Sequence, residues 1–303
     1  MTLYGILREK LPGALLLENE PMAAHTTFKV GGRADVLLSV RSEEELRSAV
    51  LAARGIGCAV TFIGRGSNLL VRDGGIRGLV IRLGEEFGGI EVREDRIEAR
   101  AGESLARLSN RAMEAGLSGL EFASGIPGSV GGAMAMNAGA YGGQMADVTE
   151  RARVMDTATG EICEMELEQL SMGYRTSLVL EKGLLVTSAL FRLKAGDKAL
   201  IKAQMDELNR RRREKQPLNY PSAGSTFKRP ESHFAGALIE QAGLKGACVG
   251  GAQVSEMHAG FIVNRGNATA SDVLSLIGLV RQRVFENSGV TLETEVRIVG
   301  QDA

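Results

Sequence analysis

The chain has 303 residues, enough for two or three hydrophobic cores, and this length favours a multidomain enzyme. Its apolar content of 44% is ordinary for a globular protein, and its net charge of −1 argues against proteins that bind nucleic acid or membrane surfaces. Its first residues, MTLYGILREKLPG, lack a signal-peptide pattern, and no run of about 18 apolar residues occurs, so we expect a cytosolic protein.

The cysteines and histidines are few and scattered along the chain. Cys58, Cys163 and Cys248 fit no CxxC or Cys/His spacing, and the three histidines are equally dispersed. We therefore expect reduced thiols and no metal site.

Hydrophobic periodicity predicts two successive α/β units followed by a C-terminal α+β domain, divided as residues 1–85, 86–196 and 197–303. The first unit has predicted helices at 2–12 and from Ser42, where Ser42 and Glu45 have capping-box spacing, and strands at 35–40, 59–63 and 79–83. The second has strands at 90–92, 97–99, 184–193 and on both sides of a turn at 157–160, and a helix at 104–114. The third has helices at 198–213, 234–242 and 271–285, the last capped by Thr269 with Asp272, and strands at 259–263 and 296–299.

A glycine-rich stretch, residues 121–142 (EFASGIPGSVGGAMAMNAGAYG), stands out within the second unit. Its glycines break both the helical and the strand period, so we expect neither an ordinary helix nor a strand there. Glycines let successive N–H groups converge on an anion close to the main chain. A tightly packed glycine turn in a core is the competing interpretation.

A second glycine loop follows the predicted strand at 59–63, with the sequence GRGSN at residues 64–68. A strand that runs into a small, polar, glycine-punctuated turn is how α/β proteins hold pyrophosphate. Leu69 stands where GxGxxG requires its third glycine, and GxxxxGK[ST] does not occur. The two loops therefore predict a dinucleotide held by a fold other than the Rossmann or P-loop types.

Six segments together closely resemble the UDP-N-acetylenolpyruvoylglucosamine reductase (MurB) family, in the right order over nearly the whole chain. They are residues 26–32 (TTFKVGG), 64–68 (GRGSN), 125–132 (GIPGSVGG), 173–175 (GYR), 223–228 (AGSTFK) and 292–296 (LETEV). No long tyrosine-bearing loop follows Arg175, which resembles the shorter type of the family.

The resemblance implies an α+β protein with an FAD-binding domain of the vanillyl-alcohol-oxidase (PCMH) type, made of two α/β subdomains, and a C-terminal substrate-binding domain. It implies a UDP-N-acetylmuramate dehydrogenase that uses NADPH to reduce the enolpyruvyl ether of UDP-N-acetylglucosamine for peptidoglycan synthesis. FAD should be non-covalent, since neither glycine loop has a cysteine or histidine. We expect no obligate protein partner. A related flavin oxidase and a non-catalytic flavin-binding protein are the alternatives.

The resemblance also implies the site residues. Such a reduction requires a fixed cation for the substrate carboxylate, a donor for the developing enolate and a general acid. The predicted catalytic residues are Arg175, Ser225 and Glu295, of which Arg175 could otherwise be a surface arginine and Ser225 a turn serine. The predicted cofactor-binding residues are Gly64, Arg65, Gly66, Ser67, Asn68, Gly125, Ile126, Pro127, Gly128, Ser129, Gly132, Asn137, Ala138 and Gly139. The predicted substrate-binding residues are Tyr174, Lys215, Gly224, Phe227 and Lys228.

Two choices depend on the resemblance alone. Glu295 lies at the start of the last predicted strand, two residues after Glu293, and alternation puts both on one face, so the residues themselves do not choose between them. The family pattern selects Glu295, and we expect Glu293 to be structural, either exposed or ion-paired. The basic run at residues 210–215 is most simply a solvated helix end, and the family pattern selects Lys215 from it as a substrate contact.

Overall fold

The computed structural model describes residues 2–303, which fold into two compact units. The first unit comprises the residues up to Glu18, Val36–Arg65 and Gly78–Arg212. The second comprises Asn19–Asp35, Gly66–Arg77 and Arg213–Ala303, so two N-terminal segments belong with the C-terminal part of the chain. The linear division at 85/86 and 196/197 stays a prediction.

The α-helices of the described residues are α1 (Leu3–Lys10), α2 (Glu43–Gly55), α3 (Leu105–Ala115), α4 (Val130–Met136), α5 (Leu178–Lys182), α6 (Lys198–Lys215), α7 (Ala235–Gln241) and α8 (Ala270–Ser288). The strands are β1 (Leu15–Pro21), β2 (Arg33–Ser39), β3 (Val60–Ile63), β4 (Leu69–Val71), β5 (Ile76–Arg82), β6 (Ile90–Arg93), β7 (Arg96–Arg100), β8 (Leu117–Ser118), β9 (Gly139–Ala140), β10 (Gly143–Gln144), β11 (Thr149–Asp156), β12 (Ile162–Glu166), β13 (Leu184–Arg192), β14 (Lys194–Ala195), β15 (Cys248–Val249), β16 (Ala252–Val254), β17 (Ile262–Asn264) and β18 (Arg297–Val299). None of the helices in residues 2–303 is long and apolar enough to cross a membrane.

The first unit contains two large sheets, each with its own hydrophobic core, and the two-stranded pairs β8-β14 and β9-β10. A four-stranded sheet of order β1-β2-β5-β3 lies mainly in this unit, with β3 parallel to β5, and its core includes apolar residues of α2. An antiparallel sheet of order β12-β11-β13-β7-β6 has a core shared with α3 and α4. Glu43 at the start of α2 links the sheets, because its carboxylate accepts hydrogen bonds from Arg153 (2.9 Å) and Thr187 (2.6 Å).

The second unit is built around α8, the longest helix. An antiparallel sheet of order β15-β16-β17 and helix α7 pack with it, and Phe28, Val30 and Leu70 from the N-terminal segments complete the same core. Strands β4 and β18 form a separate parallel pair. The predicted capping box of Thr269 and Asp272 at the start of α8 is confirmed.

Most predicted elements are confirmed with shifts of a few residues at their ends, but several predictions are wrong. Strands β1, β4, β8, β9, β10, β14, β15 and β16 and helix α5 were not predicted, and the strand expected at 259–263 is displaced to Ile262–Asn264. At α2, Ser42 accepts from the Glu45 N–H (3.2 Å), but the Glu45 carboxylate bonds the Arg41 N–H (2.8 Å) instead of completing a capping box.

The glycine-rich stretch contains a helix, which corrects the expectation that none would form. Helix α4 begins after Ser129, whose hydroxyl accepts from the Gly132 N–H (3.5 Å), and it ends at Asn137 in the left-handed conformation. Its residues Ala133, Met134, Ala135 and Met136 have high helix propensity and outweigh the two glycines in its first turn.

Candidate functional site

In the first unit, the two glycine loops predicted to bind the cofactor meet. A Cβ atom at Gly64 would overlap the hydroxyl oxygen of Ser129, which is itself buried. A side chain at Gly125 would lie 2.5 Å from Asn209 Oδ1, closer than real contacts allow. Arg65 is exposed and pairs with Glu85 (3.2 Å). The absence of side chains is therefore what lets these loops approach each other and their neighbours.

The same loops present unused backbone donors. Within the described residues, the N–H groups of Gly64, Arg65, Gly125, Gly128 and Ser129 form no hydrogen bond. Donors grouped in this way favour an anionic ligand close to the main chain, such as a pyrophosphate. Of the neighbouring predicted residues, Ile126 is half-buried, and Pro127 and Gly132 are exposed.

The remainder of the first loop, Gly66 to Asn68, belongs to the second unit. Gly66 has a φ of +64°, and a Cβ there would overlap the His25 carbonyl oxygen, so this position requires glycine. The Thr27 N–H donates to the Gly66 carbonyl (3.2 Å), and the Thr27 hydroxyl donates to the Ser222 carbonyl (2.7 Å). The TTFK segment thus fixes this loop and the segment that leads to Ser225.

Asn137 forms the centre of a hydrogen-bond network in the first unit. Its side chain is 1% exposed and donates to Gln144 (3.1 Å) and to the Gly173 carbonyl (3.0 Å), while its Oδ1 accepts from the Ala146 N–H (3.0 Å). The network ties the end of α4 to the segment that carries Arg175. The hydrogen bonds of Asn137 are thus made to protein, and cofactor contact by Asn137, Ala138 and Gly139 stays a prediction.

Arg175 occupies a tight turn with a left-handed backbone. Gly173 and Thr176 exchange hydrogen bonds (3.0 and 3.4 Å) across the turn, and Arg175 has a φ of +56°. The Arg175 guanidinium donates to the Gly139 carbonyl (3.2 Å) and lies 5.1 Å from the centre of the exposed Tyr174 ring. The predicted cation is therefore held against the glycine-rich stretch of its own unit.

In the second unit, the backbone joins the segments of Ser225 and Glu295. The Glu295 N–H donates to the Thr226 carbonyl (2.8 Å), and Ser225 and Glu295 are both half-buried. Asn68 Nδ2 donates to the Glu295 carbonyl (3.1 Å), and the Arg297 N–H donates to the Asn68 carbonyl (3.0 Å). The side chain of Asn68 therefore holds the Glu295 segment, a contact that the sequence did not indicate.

The second unit distinguishes the two glutamates of the LETEV segment. Glu293 is exposed and pairs with Lys228 (3.2 Å), which confirms the expectation that it is exposed or ion-paired. Both residues precede β18, so the strand that was predicted to carry them starts later than expected. The ion pair gives Glu293 a structural role, and the role of Glu295 stays a prediction.

The remaining predicted substrate contacts differ in accessibility. Lys215, the last residue of α6, is exposed, and Gly224 has a φ of +76° with open space where a side chain would point. Phe227 is 3% exposed and belongs to the core of its unit, so its ring anchors the segment that carries Ser225. No cluster of metal-binding side chains occurs within residues 2–303, and the three cysteines are free.

Comparison with known proteins identifies the family. Residues 216–299 match the model of the UDP-N-acetylenolpyruvoylglucosamine reductase C-terminal domain, and residues 34–166 match an FAD binding domain. The chain is 51% identical over 287 residues to the UDP-N-acetylenolpyruvoylglucosamine reductase of Clostridium botulinum strain Hall, covering 95% of this chain and 93% of the relative. The chain belongs to the MurB family. It is a flavoprotein oxidoreductase with FAD as its cofactor, and the resemblance found in the sequence is confirmed.

Solved structures support the same MurB assignment and the fold. The MurB crystal structure from Thermus caldophilus matches with a TM-score of 0.80 and 38% identity, covering 94% of this chain and 98% of that one. Wild-type Phl p 4.0202, a glucose dehydrogenase, matches with a TM-score of 0.50 and 16% identity over 64% of this chain and 44% of that one, and shows the fold alone. The predicted α+β fold with a vanillyl-alcohol-oxidase-type FAD domain is confirmed.

The glycine loops of this chain fit the cofactor of the MurB family. The unused N–H donors of both loops suit the diphosphate of that cofactor, while glycine at positions 64 and 125 is required because a Cβ there would overlap Ser129 and Asn209. Thr226 is a positioning residue that the motifs did not indicate, although it lies inside the AGSTFK segment, because its contact with the Glu295 N–H depends on the fold.

Proposed function

We propose that this chain catalyses the NADPH-dependent reduction of UDP-N-acetyl-3-O-(1-carboxyvinyl)-glucosamine to UDP-N-acetylmuramate, a step of peptidoglycan synthesis. Membership of the MurB family supports the reaction, and the observation that carries the chemistry is the left-handed backbone of Arg175. When bound, FAD supplies the hydride transfer that no side chain can perform. The chain's own residues must then hold the substrate, stabilise charge and supply a proton.

Arg175 is proposed to hold the substrate carboxylate. A left-handed conformation costs a non-glycine residue about 1–2 kcal/mol, and glycine would occupy this turn position without that cost. Strain of this kind is retained where a particular side chain is needed. A planar guanidinium stays charged and can bind a carboxylate through two parallel hydrogen bonds, which a surface role would not require.

Ser225 is proposed to donate the proton from its hydroxyl to the substrate carbon. A serine is a weak acid in water, so its alkoxide must be stabilised, at least transiently, by its surroundings. Glu295 is proposed to stabilise the enolate, either directly or through the group that is hydrogen-bonded to the enolate. The hydrogen bond between the Glu295 N–H and the Thr226 carbonyl supports a shared role, because it fixes the two segments within one unit.

Tyr174, Lys215, Gly224 and Lys228 are proposed to bind the nucleotide sugar, with Phe227 supporting them. Lys215 supplies an exposed positive charge suited to a diphosphate, whereas Lys228 would have to exchange Glu293 for the substrate. We also propose that the protein is cytosolic and acts without nucleic acid, a membrane or an obligate protein partner. It also retains the shorter MurB type, without a tyrosine-bearing loop.

Rapid mixing of Ser225→Ala tests the proposed proton transfer. The NADPH half-reaction should proceed almost unchanged, because it requires no proton from the serine. The substrate half-reaction should slow by roughly 10²- to 10⁴-fold, the usual effect of losing a positioned general acid. Visible absorbance under anaerobic conditions follows each half separately, and reoxidation of the reduced flavin by the substrate without oxygen distinguishes the reductase from an oxidase.

Ser222→Ala is the matched control, since Ser222 lies in the same segment and contributes its carbonyl to Thr27. It should leave both half-reactions close to wild type. Equal slowing of both half-reactions in Ser225→Ala would make Ser225 a structural residue and would reject its role as proton donor.

A further inference from the structure

The arginines of the basic run at residues 210–215 differ in burial and in their partners. Glu207, one turn earlier, is half-buried and pairs with Arg210 (2.8 Å) and with Arg211 (2.7 Å), both of which are exposed. Arg213 is also exposed, whereas Arg212 is half-buried. The sequence treats these arginines alike, but the fold separates Arg212 from the rest.

Arg212 lies over the glycine-rich stretch of its own unit. Its Cδ would be 3.1 Å from a Cβ at Gly125, and Asn209, one turn earlier on the same helix face, would be 2.5 Å from the same position. Asn209 Nδ2 also donates to the Ser124 hydroxyl (3.3 Å), which in turn donates to the Glu121 carbonyl (2.9 Å). These contacts hold Asn209 and Arg212 of α6 against residues 121–125 of the same unit.

The charge of Arg212 is not compensated by the protein. Within residues 2–303 its guanidinium forms no ion pair or hydrogen bond, and its electrostatic neighbour is the side chain of Tyr141. Burial lowers the pKa of Arg212, and Tyr141 opposes this shift, but an arginine side chain remains charged. A partly buried, unpaired cation is unfavourable unless a ligand supplies the opposite charge.

The hairpin that carries Tyr141 borders this arginine. Tyr141 and Gly142 form the two-residue loop between β9 and β10, and both have positive φ values (+54° and +89°). This loop geometry favours asparagine or glycine at both positions, so a half-exposed tyrosine in the first is strained. The strain is consistent with a side chain retained for contact with a ligand.

We propose that Arg212 binds a phosphate or diphosphate group that lies along residues 125–129. The unused N–H groups of Gly125, Gly128 and Ser129 supply further donors to the same anion, and the guanidinium can bind two phosphate oxygens at once. Two sources share this chemistry, the diphosphate of FAD and that of the nucleotide sugar. The first depends on the flavin site and the second on the proposed function, so the test separates them.

The test compares Arg212→Met with Arg211→Met, its exposed neighbour, and with Arg212→Lys. Apoprotein is titrated with FAD, riboflavin and inorganic pyrophosphate, and the FAD-loaded protein with UDP. Arg212→Met should weaken pyrophosphate binding by roughly 10- to 100-fold, the effect of losing a charge-assisted contact, while Arg211→Met stays near wild type. Arg212→Lys should recover part of the loss.

The separate titrations identify which ligand supplies the anion. A loss for FAD with riboflavin unchanged assigns the cofactor diphosphate, and a loss for UDP with FAD unchanged assigns the substrate diphosphate. Both readings stand on binding alone, so they hold even if the proposed reduction is absent. Unchanged binding of pyrophosphate, FAD and UDP in Arg212→Met would overturn the inference.

Thermal unfolding of the apoprotein gives an independent readout. Removal of an uncompensated, half-buried charge should leave the melting temperature of Arg212→Met equal to or above that of wild type. Pyrophosphate should then raise the melting temperature of wild type more than that of the variant. A variant that melts lower than wild type and gains the same increment from pyrophosphate would identify Arg212 as a structural residue and reject the proposal.

Discussion

Replacement of Thr226 by valine should slow the substrate half-reaction strongly while the chain remains folded. Thr226 is 2% exposed, and its hydroxyl accepts from the Ile262 N–H (3.1 Å). Valine has nearly the same shape, so no cavity forms, and the cost is one buried N–H without a partner, about 1–3 kcal/mol in the free energy of unfolding. The carbonyl of Thr226 also holds the Glu295 N–H (2.8 Å), so relaxation of residue 226 displaces Ser225 and Glu295 together.

Displacement of about 1 Å can cost up to about 100-fold in a positioned reaction, so the substrate half-reaction should slow within that limit. The NADPH half-reaction should change by less than about threefold, because it does not depend on Ser225 as a general acid. Rapid mixing measures both halves, and urea unfolding measures the stability of the full chain. Thr226→Ser keeps the hydroxyl and should restore most of the rate.

The matched control is Thr149→Val in the first unit. Thr149 is also buried and donates from its hydroxyl to the Met145 carbonyl (2.8 Å), so the stability loss should be similar, about 1 kcal/mol. Its substrate half-reaction should remain at the wild-type rate. If Thr149→Val slowed that half-reaction as much as Thr226→Val, general destabilisation would explain the effect and the positioning argument would fail.

Three further predictions follow from individual contacts. Gly64→Ala should lower the FAD content of purified protein, because the new methyl group overlaps the Ser129 hydroxyl; full occupancy, measured by absorbance, would contradict the fit of this loop. Burial works to raise the pKa of Asp73, but hydrogen bonds from Ser271 and the start of α8 outweigh it and lower that pKa, so Asp73 contributes stability above its ordinary pKa that is lost as the pH falls through the lowered value. Asp73→Asn should therefore flatten the stability profile as the pH falls from about 5 to below the ordinary aspartate pKa of about 3.9 in urea titrations; an unchanged profile would exclude this contribution. Lys215→Ala should raise the KM for the nucleotide sugar more than it lowers kcat, with Arg210→Ala milder, and equal steady-state constants in both would return Lys215 to a solvated helix end.

Much of the fold could be predicted from local patterns. The strands with clear alternation, the helix after Ser42 and the capping box of Thr269 with Asp272 all lie close to their expected positions, because each depends on neighbours in sequence. The membership of residues 19–35 and 66–77 in the second unit could not be predicted. It depends on Phe28, Val30 and Leu70 filling a core whose other residues lie far along the chain.

The site was predictable where a motif carries its own chemistry and not where packing decides. The glycine loops and the GYR segment can be recognised by their residue types. The structure gives a physical reason for one of these glycines, because a Cβ at Gly64 would overlap the Ser129 hydroxyl. The sequence separates Arg212 from its neighbours only indirectly, since the i+3 and i+4 spacing from Glu207 marks Arg210 and Arg211 as partners of that glutamate. The packing of Arg212 against Gly125 depends on the fold and has no sequence signal.

The predicted catalytic side chains share one structural property that makes them separately testable. In the first unit, reciprocal backbone bonds between Gly173 and Thr176 hold the turn of Arg175, and in the second unit backbone bonds from Glu295 to Thr226 hold the other two segments. Because main-chain atoms carry these constraints, replacement of the Arg175, Ser225 or Glu295 side chain removes none of them. Loss of activity in such variants therefore reports on chemistry, whereas Thr226→Val, which changes a side chain beneath the backbone, reports on position.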